Sequence, residues 1–251
     1  MIERGPVVRH EPAVRSLVVS RVSTPSPGFR RLTLAGADLD GFASLGATDH
    51  VKVILPDGGR RDYTPLGFRA ATDAGPAELD LDFFVHGNGA AAAWASSVAV
   101  GEPATIAGPR GSHLPPVGAT RFVLVADESS LPALARWVDI LPADVEILGF
   151  VELDKDSDAA YLNPDQVHRA KIVWLHKADG VLERAIRGLG PIDDDTFVWV
   201  AGEATTLIPI RRYLRRELGL PVSQVKVDGY WKRGEAGRDH HAPIDPSDPE
   251  D

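Results

Sequence analysis

The stretch GRRDYTPLGF, residues 59–68, sets Arg61, Tyr63 and Thr64 close together just after a turn. A guanidinium, a phenol and a hydroxyl on one short strand suit neither an apolar core nor an ordinary solvent face. Together they suit a flat cofactor that carries phosphate: the ring stacks, the hydroxyl bonds a ring edge, and the guanidinium takes the phosphate charge. Later stretches offer complementary chemistry. HGNGAAAAWA, residues 86–95, runs from strand through a glycine turn to a helix. Such a helix start presents unpaired N–H groups to an anion. ADESSLPA, residues 126–133, and VAGEATT, residues 200–206, each carry an apolar strand into a helix. Ligands of open α/β sheets bind at such strand ends. Neither matches GxGxxG or GxxxxGK[ST], and each also reads as an ordinary strand-to-helix turn.

The elements that must position these groups change character along the chain. Residues 16–24, 29–36, 50–56, 79–87 and 103–109 are short, β-branched runs bounded by Pro and Gly, which predicts a barrel or sandwich. LPDGG, residues 55–59, is a hairpin signal between two of them. An alanine-rich helix interrupts this half and ends by Gly101. From residue 121 the pattern becomes strand, helix, strand, strand, helix, strand, helix, strand. RFVLVA, residues 121–126, is continuously apolar, as a strand buried on both faces must be. That alternation predicts a mostly parallel α/β sheet. The Gly/Pro-rich stretch 108–118 marks the boundary, and the polar, proline-rich end, residues 238–251, is expected to be disordered.

Composition bounds the rest. The 251 residues carry a formal net charge of -9, which argues against a nucleic-acid partner. There is no cysteine, which removes disulfides, thiolate metal sites and a cysteine nucleophile, and favours an intracellular setting. The N-terminus has charges and prolines where a signal peptide needs an apolar stretch, and no apolar run is long enough to span a bilayer. His240 and His241 sit in the polar tail, and His86 and His176 end strands; no metal site is expected from them. No Gly-x-Ser-x-Gly elbow supports a serine hydrolase.

Read in order, RDYTP, HGNGAAAAWA, GPRGS, ADESSLPALARW, WLHK, WVAGEA and GYWKRG resemble the siderophore-interacting protein family over about residues 14–237. These are flavin-dependent ferric-siderophore reductases related to ferredoxin–NADP reductases. The resemblance implies a flexible N-terminus (1–13) and a six-stranded antiparallel FAD-binding β-barrel (14–116). An α/β parallel-sheet NAD(P)H-binding domain (117–237) follows. It implies electrons passing from NADPH or NADH through FAD to siderophore-held Fe(III), which is released as Fe(II). Residue by residue it places Arg61 at the flavin phosphate, Tyr63 beside the flavin, and Thr64 at the ring edge. His86, Gly87, Gly89 and Ala91 fall near the pyrophosphate. Asp127 to Ala133 and Gly202, Glu203 and Ala204 face the nicotinamide nucleotide. Gly229, Tyr230 and Trp231 fall on the isoalloxazine side. Thr64 and Lys232 are the catalytic candidates.

A basic patch beside the flavin would attract an anionic ferric siderophore. The candidates are Lys52, Arg30, Arg31, Lys232 and Arg233, with Lys232 preferred. Arg211, Arg212, Arg215 and Arg216 could read a 2′-phosphate or could be a solvated helix face, which leaves NADH against NADPH open. The protein is expected to be a cytoplasmic monomer with no nucleic-acid partner and no membrane insertion.

The sequence departs from the family at Leu66, where a second arginine is usual, and at Ala90 and Ala92, where proline and serine are usual. Arg69 is positioned to return the missing charge only if a loop brings it back. Looser flavin binding is therefore expected. A general flavin reductase, or a siderophore-binding protein with weakened flavin binding, stays open beside the reductase.

Overall fold

The computed structural model describes residues 1–85, 89–239 and 242–248. The chain divides into two compact units, one of residues 6–114, the other of residues 1–5 together with everything from Pro115 onward.

In the first unit the strands are β1 (Val7–Arg9), β2 (Val14–Ser23), β3 (Phe29–Ala35), β4 (Val51–Ile54), β5 (Arg60–Tyr63), β6 (Pro65–Arg69), β7 (Glu78–Phe84), β8 (Pro103–Ala107) and β9 (Gly111–His113), with helix α1 (Ala90–Ser97). Seven of them make one antiparallel sheet in the order β5-β4-β8-β2-β3-β7-β6. The expected barrel strands are present, and β6 adds a seventh to the six expected. Strand β2 shows why the sheet curls around a core. Arg15, Leu17 and Val19 point inward while their neighbours face solvent. Leu17 and Val19 join Leu32, Leu34, Leu79, Leu81 and Ile106 in the core. The β4–β5 hairpin closes through Leu55 and Gly59 (2.8 Å), with Gly58 at φ +82°.

Strand β6 forms although it carries an arginine among apolar residues. Arg69 forks onto buried Asp80 of β7 (2.7 and 2.9 Å) and reaches Glu78 (3.0 Å). Asp80 also accepts from the Thr33 hydroxyl (2.6 Å). Burial alone would raise the Asp80 carboxyl; the Arg69 and Thr33 bonds outweigh it and hold the group below the ordinary carboxylate range. A folded-state value below the unfolded one adds stability above about pH 4, lost as pH falls through the folded value. Asp80→Asn is expected to cost about 2 kcal/mol, since solvent at the half-exposed guanidinium keeps the figure below that of a fully buried pair. Thermal melts at neutral pH then fall by roughly 4–8 °C. The gap to wild type closes in acid, and a pH-independent gap would contradict the assignment.

The second unit has β10 (Arg121–Ala126), β11 (Glu146–Leu153), β12 (Val173–His176), β13 (Thr196–Glu203) and β14 (Val225–Trp231), all parallel in the order β12-β11-β10-β13-β14. The helices are α2 (Leu131–Ile140), α3 (Pro164–Arg169), α4 (Val181–Arg187) and α5 (Ala204–Arg212), the last running on through a π turn, Tyr213–Glu217. Every residue of β13 is buried, as its apolar run requires. The strand order reverses between β10 and β13, and ligands of such sheets bind at the carboxyl ends beside that reversal.

Both chain ends depart from expectation. The N-terminus was expected to be flexible, yet β1 pairs with β9, Ile2 is buried, and Glu3 exchanges two backbone bonds with Val117 (3.0 Å each). The tail was expected to be disordered, yet residues 242–248 are seated on the second unit. Ile244 is buried in its core, Asp245 meets Arg212 (2.6 Å), and Asp248 meets Arg211 (3.0 Å) and Arg216. The Arg212 and Ser247 contacts hold the Asp245 carboxyl down at about 2. One isoleucine and two aspartates anchor a segment whose average composition reads as unstructured. His240 and His241 lie outside the described residues.

Candidate functional site

In the first unit, Arg61 and Tyr63 pair across the ladder with Val53 and Val51 and so share their face of the sheet. The Tyr63 ring lies on Phe83 (centroids 4.1 Å apart), and Phe83 meets Trp94 of α1 edge-on (5.5 Å). This aromatic chain fixes the end of β5 relative to α1. Burial raises the Tyr63 phenol above its ordinary value, against the opposing pull of Arg61, so it stays protonated. Among the described residues the hydroxyls of Tyr63 and Thr64 have no hydrogen-bond partner, and the Arg61 guanidinium donates only to the Arg60 carbonyl (2.8 Å).

Helix α1 opens at Gly89, whose side supplies no cap, and the first intrahelical bond runs from Ala93 N–H to Gly89 O (2.9 Å). The amides of Ala90, Ala91 and Ala92 are therefore left without intrahelical partners. Among the described residues a Cβ placed on Gly89 meets nothing within 4 Å. A guanidinium bonded only to a neighbouring carbonyl, an unpartnered hydroxyl, a ring and unpaired amides are the donor set a flavin nucleotide needs. His86 and Gly87 lie outside the described residues.

The neighbouring cations are committed elsewhere. Arg30 donates to Val98 O (2.8 Å) and Ser96 O and so caps the far end of α1, while Arg31 pairs with buried Asp82 (2.7 Å). Lys52 pairs with Asp62 (2.8 Å). Arg69 does not fold back to supply the charge missing at Leu66; its fork is held by Asp80 and Glu78.

In the second unit, the strand ends beside the reversal gather Asp127, Gly202, Glu203 and Trp231. Asp127 is buried and accepts from Trp231 Nε1–H (2.8 Å) and the Ser129 hydroxyl (2.5 Å). Gly202 sits at φ +152°, and a Cβ there would lie 2.8 Å from the Asp127 carboxylate. Glu203 has both carboxylate oxygens engaged, by the amides of Thr206 (2.9 Å) and Arg233 (3.0 Å). It caps α5 and ties down the loop after β14. A Cβ on Gly229 would meet Ile244 (2.9 Å) and Ala204 (3.0 Å), so that glycine makes room for the tail. Tyr230 packs edge-on against Trp199 (6.5 Å).

Sequence reasoning carried Glu128 only within the stretch Asp127 to Ala133 and did not single out Lys177 or Glu152. Lys177 stands 3.7 Å from Glu128 and 6.0 Å from the centre of the Trp231 ring. Burial raises the Glu152 carboxyl, opposed by the Ala178 amide (3.2 Å) and by Lys177. The available signal was position: Lys177 directly follows the carboxyl end of β12, and Glu128 lies two residues past that of β10. The arginine-rich segment spans the far end of α5 from Gly202 and the π turn that follows. Arg211, Arg212 and Arg216 are matched by tail aspartates, and Arg215 donates to Leu220 O.

Comparison with known proteins accounts for both units. Residues 18–64 and 58–113 match the siderophore-interacting FAD-binding domain, and residues 119–234 match the siderophore-interacting protein model. The NADPH-dependent ferric-chelate reductase of Escherichia coli K12 is 31% identical, the alignment covering 89% of this chain and 95% of that one. The chain belongs to the siderophore-interacting protein family. Within and around that family, ferric vibriobactin reductase ViuB of Vibrio cholerae is 29% identical over 86% of this chain and 88% of its own. The crystal structure of a siderophore utilization protein from T. fusca superposes with a TM-score of 0.83 at 34% identity, covering 96% of this chain and 100% of that one. Phthalate dioxygenase reductase shares the fold alone, with a TM-score of 0.66 at 14% identity over 86% of this chain and 68% of that one. The siderophore-interacting protein described here thus has an antiparallel-sheet unit matched by the FAD-binding family model and a parallel-sheet unit matched by the siderophore-interacting protein model.

Proposed function

We propose that this chain is a flavin-dependent ferric-siderophore reductase drawing electrons from NADPH or NADH. One observation carries the reading: the Arg61 guanidinium, bonded only to a neighbouring carbonyl among the described residues, the unpartnered Thr64 hydroxyl and the uncapped start of α1 lie in a segment that matches an FAD-binding family model. Bound flavin supplies the exchange between two-electron hydride transfer and one-electron reduction of iron. Arg61 and the α1 amides would hold its phosphates, and the Tyr63 ring and Thr64 hydroxyl would hold its ring system. Asp127 fixes the Trp231 indole, and Gly202 keeps the backbone bare where the nicotinamide nucleotide approaches. Reduced iron binds hard oxygen chelators less tightly and leaves. The protein works in the cytoplasm as a monomer. Among the described residues no helix is long and apolar enough to cross a membrane.

The anionic ferric complex meets Lys232 and Arg233. Lys232 is paired with Glu235 (3.1 Å), but both side chains are about two-fifths exposed. Such a surface pair contributes only about 0.2–1 kcal/mol, so an incoming anion displaces it. The Arg233 side chain has no ion pair among the described residues, and Arg233→Ala is expected to raise the siderophore KM more than Lys232→Ala. Neither change should alter reduction of bound flavin by nicotinamide. The deciding assay traps Fe(II) with ferrozine from a ferric siderophore, with and without added FAD. Nicotinamide-dependent Fe(II), stimulated by FAD because Leu66 and Ala92 loosen the cofactor, supports the reading. Oxidation of nicotinamide by free flavin without Fe(II) release would replace it with a general flavin reductase. Siderophore binding with no electron transfer would replace it with a binding protein.

A further inference from the structure

We propose that the first unit carries a second ligand site, a pocket that takes the carboxylate of a small molecule of low net charge on the Arg15 guanidinium. Arg15 occupies the first inward position of β2, in line with Leu17 and Val19, and is 7% exposed. Its guanidinium lies 5.2 Å over the Phe42 ring and donates through one terminal nitrogen to Gly108 O (2.8 Å) and Ala13 O (3.4 Å). Its Nε is buried without a partner, and among the described residues Arg15 has no carboxylate within ion-pair distance. Arg211, equally enclosed, is matched by Asp248 (3.0 Å). An arginine cannot discard its charge, and the one acidic group whose field reaches Arg15, Asp38, makes no ion pair with it, so a ligand carboxylate would supply the close partner that burial makes valuable.

Arg15 lines a pocket of about 500 Å³ together with Arg9, His10, Glu11, Asp40 and Pro109. That volume lies within the range of small-molecule sites. Arg9 also has no ion pair among the described residues. The His10 ring is held in one orientation. Asp49 can only accept, so the Ser112 hydroxyl donates to it (2.5 Å) and must accept from Leu45 N–H (2.9 Å) and from His10 Nε2 (2.7 Å). His10 therefore donates through Nε2.

Glu11 and Asp40, both exposed, give the pocket its selectivity. They repel an anion of several charges and accept from an ammonium, so the chemistry favoured is a monocarboxylate or, better, an amino-acid zwitterion.

The test is saturation-transfer NMR and calorimetry on the full chain, with glycine, acetate, citrate and inorganic phosphate as probes. Glycine and acetate should bind and citrate should bind at least about tenfold more weakly, the equivalent of roughly 1.4 kcal/mol. Arg15→Gln should lose at least about tenfold in glycine affinity, a single charge-assisted contact, with flavin content unchanged. Asp40→Asn, at an exposed wall position, should raise acetate affinity about fivefold and narrow the gap to citrate. It decides the matter if the Arg15 variant fails to fold. Absence of glycine and acetate binding to wild type at millimolar concentration, equal binding by folded wild type and Arg15→Gln, or no effect of Asp40→Asn on the acetate–citrate difference would each overturn the proposal.

Discussion

Arg61→Ala should weaken flavin binding by roughly ten- to a hundredfold, the loss of one charge-assisted hydrogen bond of about 1.5–3 kcal/mol. The expectation rests on how few cations the site retains. Leu66 stands where the family usually has a second arginine, and the Arg69 fork is held by Asp80 and Glu78. Lys52 is paired with Asp62 across the ladder, on the opposite face from Arg61. That leaves Arg61, half-buried and bonded only to a neighbouring carbonyl, as the guanidinium able to turn to a phosphate. Because it makes so few protein contacts, its removal should leave the melting temperature nearly unchanged, which separates a cofactor role from a structural one. Fluorescence-quenching titration with FAD gives the measurement. Arg61→Lys should fall between, since it keeps the charge and loses the fork. An unchanged dissociation constant in the alanine variant would remove Arg61 from the cofactor site.

Gly202→Ala should raise the KM for the reduced nicotinamide nucleotide by about tenfold to a hundredfold and leave flavin affinity intact, through strain of about 1–3 kcal/mol. The added Cβ would come within 2.8 Å of the Asp127 carboxylate, at a φ of +152° that an L side chain rarely adopts. Asp127 has little room to yield. Trp231 and Ser129 hold its oxygens, and its backbone N–H is bonded to Ser130 Oγ (3.1 Å). Relief comes by displacing Asp127 and, with it, the Trp231 indole. Flavin reduced chemically with dithionite should still deliver electrons to the ferric siderophore at the wild-type rate. Stopped-flow measurement of the two half-reactions distinguishes the cases, and an unaltered nicotinamide KM would show that the nucleotide does not approach Gly202.

The sequence made some of this legible and hid the rest for physical reasons. The buried strands β10 and β13 announced themselves because a strand covered on both faces has no polar alternation to confuse it. The β4–β5 hairpin was readable from Asp57, Gly58 and Gly59, where local chemistry alone sets the turn. Helix α3 was missed because it is one short turn-and-a-half without an apolar stripe. Its signal was the Asn163–Gln166 capping box with Pro164 between (2.9 and 3.2 Å). The commitments of Arg30, Arg69 and Lys52 were hidden because each partner is fixed by strand register or by a distant helix end. Arg30 and its acceptor Val98 are 68 residues apart. For the same reason the tail read as unstructured: its anchor points, Gly229, Arg211 and Arg212, lie elsewhere in the chain.

The first unit begins and ends side by side. Leu114 N–H bonds Pro6 O (3.0 Å) where β1 and β9 close their ribbon, and Glu3 and Val117 pair just beyond. In chain order the flavin module is thus an insertion within the nucleotide module, and its entry and exit strands are paired with each other. Such a topology lets an ancestral gene gain or exchange one module at a single locus without cutting the core of the other.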